Sequence, residues 1–331
     1  MKKFMNSAGM LAQDCLEGFV AAHGDIVAFG TDRKHVQRRT PSADKVAIIS
    51  GGGAGHEPMH AGFVGSGMLD AACTGYVFTS PTPDQILSAI RDTDNGAGTL
   101  LIVKNYDGDV MNFEMAAEMA AADGPRRIET VIVSDDIAVA RSAHGTGRRG
   151  VAGTLVVEKI IGAAAEAGAT LPELKMLGDT VVSLTRTMGV ALKGTTVPQT
   201  TRETFVLGPN DMEIGVGIHG EPGRARAQIT DASSIVTLIC GHILEDFGGL
   251  SGQSILLFVN GLGGTPLSEL YLVFGLARAF FEGHGVTISR SLVGTYVTSL
   301  DMAGMSITVT VLDDSLTELW NAPVHTASLR W

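Results

Sequence analysis

Short apolar runs alternate with polar loops and amphipathic segments through the first half of the chain. The apolar runs predict buried strands at 46–49, 73–78, 99–103 and 130–133. The amphipathic segments predict helices at 8–22, 83–94, 112–122, 151–167 and 171–188. A strand, a polar loop and a helix, repeated in this order, are typical of a parallel sheet with helices on its faces.

The pattern changes near Gly189. Strands are predicted at 190–192, 205–207, 255–259, 287–298 and 306–312, and helices at 233–244 and 267–281. The first two strands have no helix between them, and we expect the last two to be close to antiparallel. The fold class predicted is α/β with two domains. Residues 1–185 would form a mostly parallel sheet flanked by helices, and residues 186–331 a mixed-sheet α/β domain.

Composition and charge narrow the class of protein. The chain has 331 residues, of which 45% are hydrophobic and 18% charged, as in a globular protein. The formal net charge of -11 makes nucleic acid and anionic membranes poor partners. Asp14 and Glu17 interrupt the apolar segment that a signal peptide would need. Three widely spaced cysteines without a CxxC argue against disulfides and zinc, so we expect a cytoplasmic protein.

The strongest candidate for a ligand site is the segment 49–58, ISGGGAGHEP. Four of the residues 51–55 are glycine, which lets a backbone turn sharply and approach a ligand closely. Because ligands of open α/β sheets bind beyond the carboxyl ends of strands, we expect a glycine loop that presents His56. A P-loop would need a lysine after its last glycine, and a dinucleotide loop a small residue where Pro58 stands. Neither nucleotide motif fits.

Predicted strand ends supply further side chains that can transfer protons, namely Lys104 with Asp109, and His219. Each has an ordinary explanation, since a lone histidine is more often structural and a Lys/Asp pair in a loop is usually solvated. Together with His56 they favour acid–base chemistry on a small polar ligand such as a carbonyl compound. A metal site of the two histidines and Asp109 is the rival. No pair has the i, i+4 spacing of common zinc motifs, so we expect no metal.

Eight blocks of sequence are distinctive as an ordered set. They are SGGGAGHEPMH (50–60), FTSPTPD (78–84), KNY with GD (104–109), GRRGVA (147–152), EIGVGIHGEPG (213–223), TPLSELY (265–271), TSLDM (298–302) and APVHT (322–326). This set resembles the dihydroxyacetone-binding subunits of the dihydroxyacetone kinase family. The resemblance covers essentially the whole chain, and it implies a kinase that acts on an alcohol group.

The resemblance implies roles for three titratable residues. In the family, the histidine that matches His219 attacks the ketone carbonyl and holds dihydroxyacetone as a covalent hemiaminal. Glycerol would be rejected because it has no carbonyl to attack. His56 would hydrogen-bond the substrate and assist proton transfer. Asp109 would accept the proton of the hydroxyl that is phosphorylated.

The remaining substrate oxygens are expected to be held by Lys104 and by the backbone of Gly53, Ala54 and Gly55. Ala54 departs from the family, in which serine is common at this position. One side-chain contact is therefore missing, while the backbone contacts survive.

The resemblance also implies partners. The chain ends at Trp331, just after the pattern of the binding subunit, so we expect it to bind no cofactor and to depend on a separate helical subunit that carries ADP/ATP with Mg. A phosphocarrier fed by phosphoenolpyruvate through the phosphotransferase system would recharge that nucleotide, as in a phosphoenolpyruvate–glycerone phosphotransferase. Family members are usually homodimers.

Two alternatives stay open. A paralogue that senses dihydroxyacetone and acts on a transcriptional regulator would need no base at the phosphoryl-accepting hydroxyl, so the presence of Lys104, Asp109 and His219 together argues against it. A kinase subunit for another hydroxymethyl ketone, such as erythrulose, would have the same motifs. The sequence also leaves open whether the partner is recharged by phosphoenolpyruvate or by ATP.

Overall fold

The structure, a computed structural model, describes residues 3–139, 147–221 and 223–331, so that Pro222 of the EIGVGIHGEPG block lies outside the described residues. The helices of the described residues are α1 Leu11–Ala22, α2 Pro83–Thr93, α3 Asp107–Ala122, α4 Gly153–Glu166, α5 Leu171–Ser183, α6 Ala232–Phe247, α7 Leu267–Gly283 and α8 Asp314–Asn321. The strands are β1 Val27–Phe29, β2 Val36–Arg38, β3 Ala47–Ala54, β4 Gly65–Ser66, β5 Ala71–Val77, β6 Thr99–Lys104, β7 Ile128–Val133, β8 Thr185–Lys193, β9 Thr196–Val197, β10 Arg202–Glu203, β11 Asp211–Ile214, β12 Ala225–Gln228, β13 Ser254–Gly261, β14 Thr287–Gly294, β15 Ala303–Val311 and β16 His325–Thr326. None of the helices in these described ranges is long and apolar enough to cross a lipid bilayer.

The chain folds into two compact units, each made of more than one stretch of sequence. Unit 1 consists of Met1–Val133, Thr154–Val182 and Glu318–Trp331, and unit 2 of Ser134–Gly153 and Ser183–Thr317. The units differ from a contiguous division at residue 185 in three segments, 134–153, 183–185 and 318–331. The two-domain division at residue 185 stays a prediction.

Unit 1 is built on a six-stranded sheet in the order β1-β2-β5-β3-β6-β7. Its strands β5, β3, β6 and β7 are parallel, and β1 and β2 form an antiparallel edge. Apolar side chains of the sheet, such as Ile49 and Leu101, pack in one buried cluster with Ile86 and Ile90 of α2 and Phe113 of α3. The predicted mostly parallel sheet flanked by helices is confirmed.

The predicted glycine loop is wrong in its extent, because β3 continues through the glycines to Ala54. Gly51, Gly52 and Gly53 pair in parallel register with residues of β5. A Cβ on Gly51 would lie 2.6 Å from the carbonyl oxygen of Cys73, and one on Gly53 2.6 Å from the backbone nitrogen of Thr79. These glycines serve close packing of strands rather than a turn.

Helix α3 begins at Asp107, five residues before the predicted start, so Asp109 lies in the first turn of a helix and not in a loop. The acidic residues Asp107 and Asp109 are favourable there because the helix dipole places partial positive charge at the N-terminus. Helix α2 begins as predicted, with Pro83 as its first residue and the backbone N–H of Thr82 donating to the side chain of Gln85 at 2.9 Å.

Unit 2 contains a mixed six-stranded sheet in the order β12-β11-β8-β15-β13-β14. Only β13 and β14 pair in parallel among the described strands of this sheet, and the other neighbours are antiparallel. Helices α6 and α7 bury Ile239, Ile243 and Phe281 against sheet residues such as Leu257 and Ile307. The predicted mixed sheet is confirmed.

Two predictions for this half of the chain are wrong. Residues 185–188 are not helical, because Thr185 and Thr187 belong to β8 and their hydroxyls bond Thr310 and Thr308 across the sheet at 3.0 and 2.8 Å. Residues 205–207 form no strand. The last two long strands, β14 and β15, run antiparallel to each other as predicted, although β13 lies between them.

Candidate functional site

Lys104 is the last residue of β6, and its side chain is completely buried. Its ammonium nitrogen Nζ lies 3.1 Å from the carbonyl oxygen of Gly51, 3.0 Å from Oδ2 of Asp109 and 3.2 Å from Nε2 of His60. A Cβ on Gly52 would come within 2.3 Å of Nζ, so this glycine makes room for the ammonium group. The glycine strand, β3 with its residues Gly51–Gly53, thus lines one side of a buried polar cluster in unit 1.

Asp109 faces Lys104 from the first turn of α3 and is 3% exposed. Burial alone would favour the neutral carboxyl, but the ammonium of Lys104 holds the pKa of Asp109 below its ordinary value. Asp109 is therefore ionised at neutral pH. An ionised carboxylate beside a fixed cation can accept a proton and return to the charged form afterwards.

His60 and Glu158 complete the cluster, and neither was assigned a role from the sequence. Nδ1 of His60 lies 2.6 Å from Oε1 of Glu158 and 3.1 Å from the hydroxyl of Ser50. Burial keeps the pKa of His60 below its ordinary value, although Glu158 acts in the opposite direction. Glu158 could have been noticed as an acidic residue within the apolar helix α4, where it is completely buried.

His56 follows the end of β3 and is also buried in unit 1. Its ring stacks on that of Phe78, with the centroids 5.1 Å apart and the planes at 23°. Gly55, next to it, has φ +99°, a conformation that favours glycine, and its N–H donates to the carboxylate of Glu57 at 3.0 Å. Packing and the turn at Gly55 together fix the orientation of the imidazole.

His219 lies in unit 2, where Glu221 holds it from two sides. Oε1 of Glu221 lies 2.8 Å from Nδ1 of His219, and Oε2 accepts the backbone N–H of the same residue at 3.0 Å. Burial would raise the pKa of Glu221, but His219 lowers it below the ordinary value. Because an ionised carboxylate only accepts hydrogen bonds, Nδ1 carries the proton of the neutral ring. The unprotonated nitrogen is then Nε2, the one that can act as a nucleophile.

Arg149 supports this arrangement from the other side of Glu221. Its Nη1 lies 4.0 Å from Oε2 of Glu221, its Nε donates to Asp136 at 2.7 Å, and its Nη2 donates to the carbonyl oxygen of Gly215 at 2.8 Å. Burial raises the pKa of Asp136 to about 6, although Arg149 lowers it. A second polar cluster, in unit 2, thus consists of Asp136, Arg149, Glu221 and His219.

We expect the wild type to lose stability relative to Asp136→Asn as the pH rises from about 4 to about 6. The folded protein binds this proton more tightly than the unfolded chain does. Protonated Asp136 therefore stabilises the fold below its unfolded pKa, and that contribution is lost as the pH rises through the folded value. Urea unfolding of both proteins between these two pH values measures the difference. If the stability of the wild type minus that of Asp136→Asn stayed constant or grew with pH, the raised pKa of Asp136 would be contradicted.

Within the described ranges, no group of three or more His, Cys, Asp or Glu side chains could hold a metal ion. The groups that the two clusters offer to a ligand are imidazoles, carboxylates, a guanidinium and an ammonium group.

Comparison with known proteins identifies the family. The profile described as "Dak1 domain" matches residues 17–328. The chain belongs to the Dak1 domain family. It is 48% identical to the dihydroxyacetone-binding subunit DhaK of the PTS-dependent dihydroxyacetone kinase 1 of Listeria innocua, over 98% of this chain and 99% of that protein. The resemblance noted from the sequence motifs is confirmed.

Solved structures of Dak1 domain proteins have the same fold. The dihydroxyacetone kinase of C. freundii superposes with a TM-score of 0.89 at 35% identity, over 99% of this chain and 60% of that one. The dihydroxyacetone kinase operon co-activator Dha-DhaQ superposes with a TM-score of 0.90 at 32% identity, over 95% of this chain and 97% of that one. The Dak1 fold thus occurs in a kinase and in an operon co-activator.

Proposed function

We propose that this chain is the dihydroxyacetone-binding subunit of a dihydroxyacetone kinase. The observation that carries the proposal is the 48% identity to such a subunit over nearly the full length of both proteins. The two polar clusters support it, because one has a histidine with a defined nucleophilic nitrogen and the other an ionised aspartate beside a buried lysine. These are the groups needed to hold a ketone and to receive a hydroxyl proton.

His219 is the nucleophile of the proposed covalent step. The lone pair of Nε2 attacks the carbonyl carbon, a C–N bond forms, and the C=O π bond breaks with its electrons going to oxygen. The oxygen takes up a proton and the ring gives up the proton on Nδ1, which Glu221 faces at 2.8 Å, so the hemiaminal is neutral overall. Glycerol cannot form this adduct, since it has no electrophilic carbon.

Asp109 is the base of the proposed phosphoryl transfer. The terminal phosphoryl group of a nucleotide passes to a primary hydroxyl of the ketone, and the hydroxyl proton passes to Asp109. Lys104 holds a substrate oxygen by sharing one of the N–H groups that face Gly51, His60 and Asp109. His56 hydrogen-bonds the substrate, and the backbone from Gly53 through Ala54 to Gly55 holds the remaining oxygens.

The phosphoryl donor is ADP/ATP with Mg on a separate helical subunit, which a phosphocarrier recharges from phosphoenolpyruvate. Two relationships support this part of the proposal. The Listeria innocua relative is named a subunit of a PTS-dependent kinase. The C. freundii kinase, of which this chain spans 61%, has been solved in complex with AMP-PNP and Mg2+. A homodimer of this chain is expected to be the working form.

The proposal is tested by phosphate transfer. The purified chain is mixed with a nucleotide-carrying subunit that is active with a known dihydroxyacetone-binding subunit, and the formation of dihydroxyacetone phosphate is followed with phosphoenolpyruvate or ATP as donor. Glycerol and erythrulose are the alternative substrates. Transfer to dihydroxyacetone and none to glycerol is expected. No transfer to either ketone with a competent partner would overturn the proposal, and faster transfer to erythrulose would reassign the substrate.

A regulatory role is the second candidate, because the co-activator Dha-DhaQ has the same fold. A sensor of dihydroxyacetone would form the adduct on His219 but would have no use for the Asp109–Lys104 pair. Adduct formation without phosphate transfer, in the assay above, would favour this candidate.

Gly52→Ala is expected to lower kcat/KM for dihydroxyacetone by roughly 10- to 100-fold, because displaced catalytic groups lose about this much activity. The new methyl group would overlap Nζ of Lys104, the far end of a long side chain with several rotatable bonds, and Gly52 has no positive φ. The fold should therefore survive while the ammonium group moves. Gly18→Ala is the control, because nothing lies within 4 Å of a Cβ at that position. Unchanged kcat/KM in Gly52→Ala would contradict the assignment.

A further inference from the structure

We propose that Glu158 and His60 are positioning residues that orient the ammonium group of Lys104. The catalytic part of this inference rests on the proposed function. Neither residue is needed to contact the substrate. Their effect passes through Lys104 to Asp109, the base of the phosphoryl transfer.

The positions of the hydrogen-bond donors and acceptors define the direction of the bonds from Lys104 through His60 to Glu158. Lys104 has only N–H donors, so the 3.2 Å contact with Nε2 of His60 requires that Nε2 accept. Nδ1 then carries the ring proton and donates it to Oε1 of Glu158 at 2.6 Å. Glu158 thus selects the tautomer in which His60 presents a lone pair to Lys104. With the opposite tautomer, an N–H would face an ammonium group.

The three acceptors around Lys104 come from three different elements. Gly51 belongs to β3 and Asp109 to α3, while His60 is held by Glu158 of α4. Three N–H groups meet three acceptors, which fixes the rotation of the ammonium about its last bond. Removal of one acceptor leaves this rotation free and weakens the alignment towards Asp109.

Stability does not account for this arrangement. Desolvation of buried ionic groups often outweighs their mutual attraction, so apolar residues of similar volume would serve the fold as well. Oε2 of Glu158 is buried and has no hydrogen-bond partner among the described residues, which adds an unfavourable term. Such a departure from good packing is expected at a functional site.

The charged groups around His60 determine how the pH profile of kcat/KM should respond when Lys104 is displaced. Glu158 faces it from α4, Lys104 from β6 and Ser50 from β3, and Asp109 acts on it from α3. When Lys104 is displaced from Asp109, the pKa of Asp109 rises towards its ordinary value. The acidic limb of the pH profile of kcat/KM should then move to higher pH.

The first test is the tautomer of His60, read from ring nitrogen chemical shifts of the 15N-labelled full chain, with His60→Gln as the assignment variant. The wild type is expected to hold a neutral ring protonated on Nδ1, and Glu158→Gln to mix the two tautomers. This readout needs no partner subunit and no activity. It therefore stands even if the proposed function fails. A wild-type ring protonated on Nε2 would overturn the inference.

The second test separates positioning from proton transfer. The amide of His60→Gln can accept from Lys104 and donate to Glu158, but it does not titrate, whereas His60→Leu can do neither. We expect His60→Gln to retain kcat within about tenfold and His60→Leu to lose roughly 10- to 100-fold, with little change in KM. Equal losses in the two variants, with both folded, would overturn the positioning role. So would unchanged kcat and an unchanged pH profile in Glu158→Gln.

Discussion

Alanine at position 219 is expected to abolish the dihydroxyacetone adduct and to lower phosphate transfer by about a thousandfold or more, as for other covalent nucleophiles. The physical reason is that the imidazole supplies the only bond to the substrate carbon in the proposed mechanism. The side chain is 20% exposed, so its removal should have little effect on the fold. Intact-mass measurement detects the adduct, and the coupled assay with the nucleotide-carrying subunit measures transfer.

His242→Ala is a matched control for this experiment. His242 is another partly exposed histidine of unit 2, also paired with a glutamate, at 3.8 Å. It should keep both the adduct and the transfer. An adduct that persists in His219→Ala would mean that another residue holds the ketone, and the proposed hemiaminal would be wrong.

The largest expected effect on stability is at the buried pair of Asp109 and Lys104. Asp109→Leu leaves the ammonium group buried without its carboxylate, which should lower the free energy of unfolding by about 3–5 kcal/mol. The same change removes the proposed base and should lower kcat by about 10²- to 10⁴-fold. Denaturant unfolding and the coupled transfer assay measure the two effects.

The double variant Lys104→Met/Asp109→Leu separates these two consequences. Replacing both charges with apolar groups of similar volume removes the uncompensated ammonium, so much of the stability should return. Activity should stay low because the base is absent. If the double variant were as unstable as Asp109→Leu, desolvation of Lys104 would not be the cause, and if activity returned, Asp109 would not be the base.

The sheet architecture was predictable because it follows from local patterns. An apolar run of the right length indicates β6, and the amphipathic segment 83–94 indicates α2. The errors occurred where non-local packing decides. The glycines at 51–53 favour a loop in the sequence because they let a backbone turn sharply, yet they pair along β5, where a side chain would not fit. Thr185 and Thr187 look neutral in sequence, and the strand pairing that places Thr310 and Thr308 opposite them is non-local.

The same distinction applies to the candidate site. His56, Lys104 and Asp109 were predicted because each follows or ends a strand, a position that periodicity reveals. The pairing of His60 with Glu158 joins residues 98 positions apart, and no local signal connects them. The pairing of His219 with Glu221 is local, but its geometry depends on a turn whose shape the sequence does not specify. The roles carried over from the family for these residues stay predictions.

The glycine strand has a consequence for how a protein with this fold could acquire a new substrate. Most binding sites change preference by exchanging a side chain that touches the ligand. Along Gly51–Gly53 there is no side chain to exchange, and each added atom would collide with a carbonyl, an ammonium group or a backbone nitrogen. Divergence towards a larger or differently substituted ketone is therefore confined to the residues that surround these three glycines, while the glycines themselves stay constant.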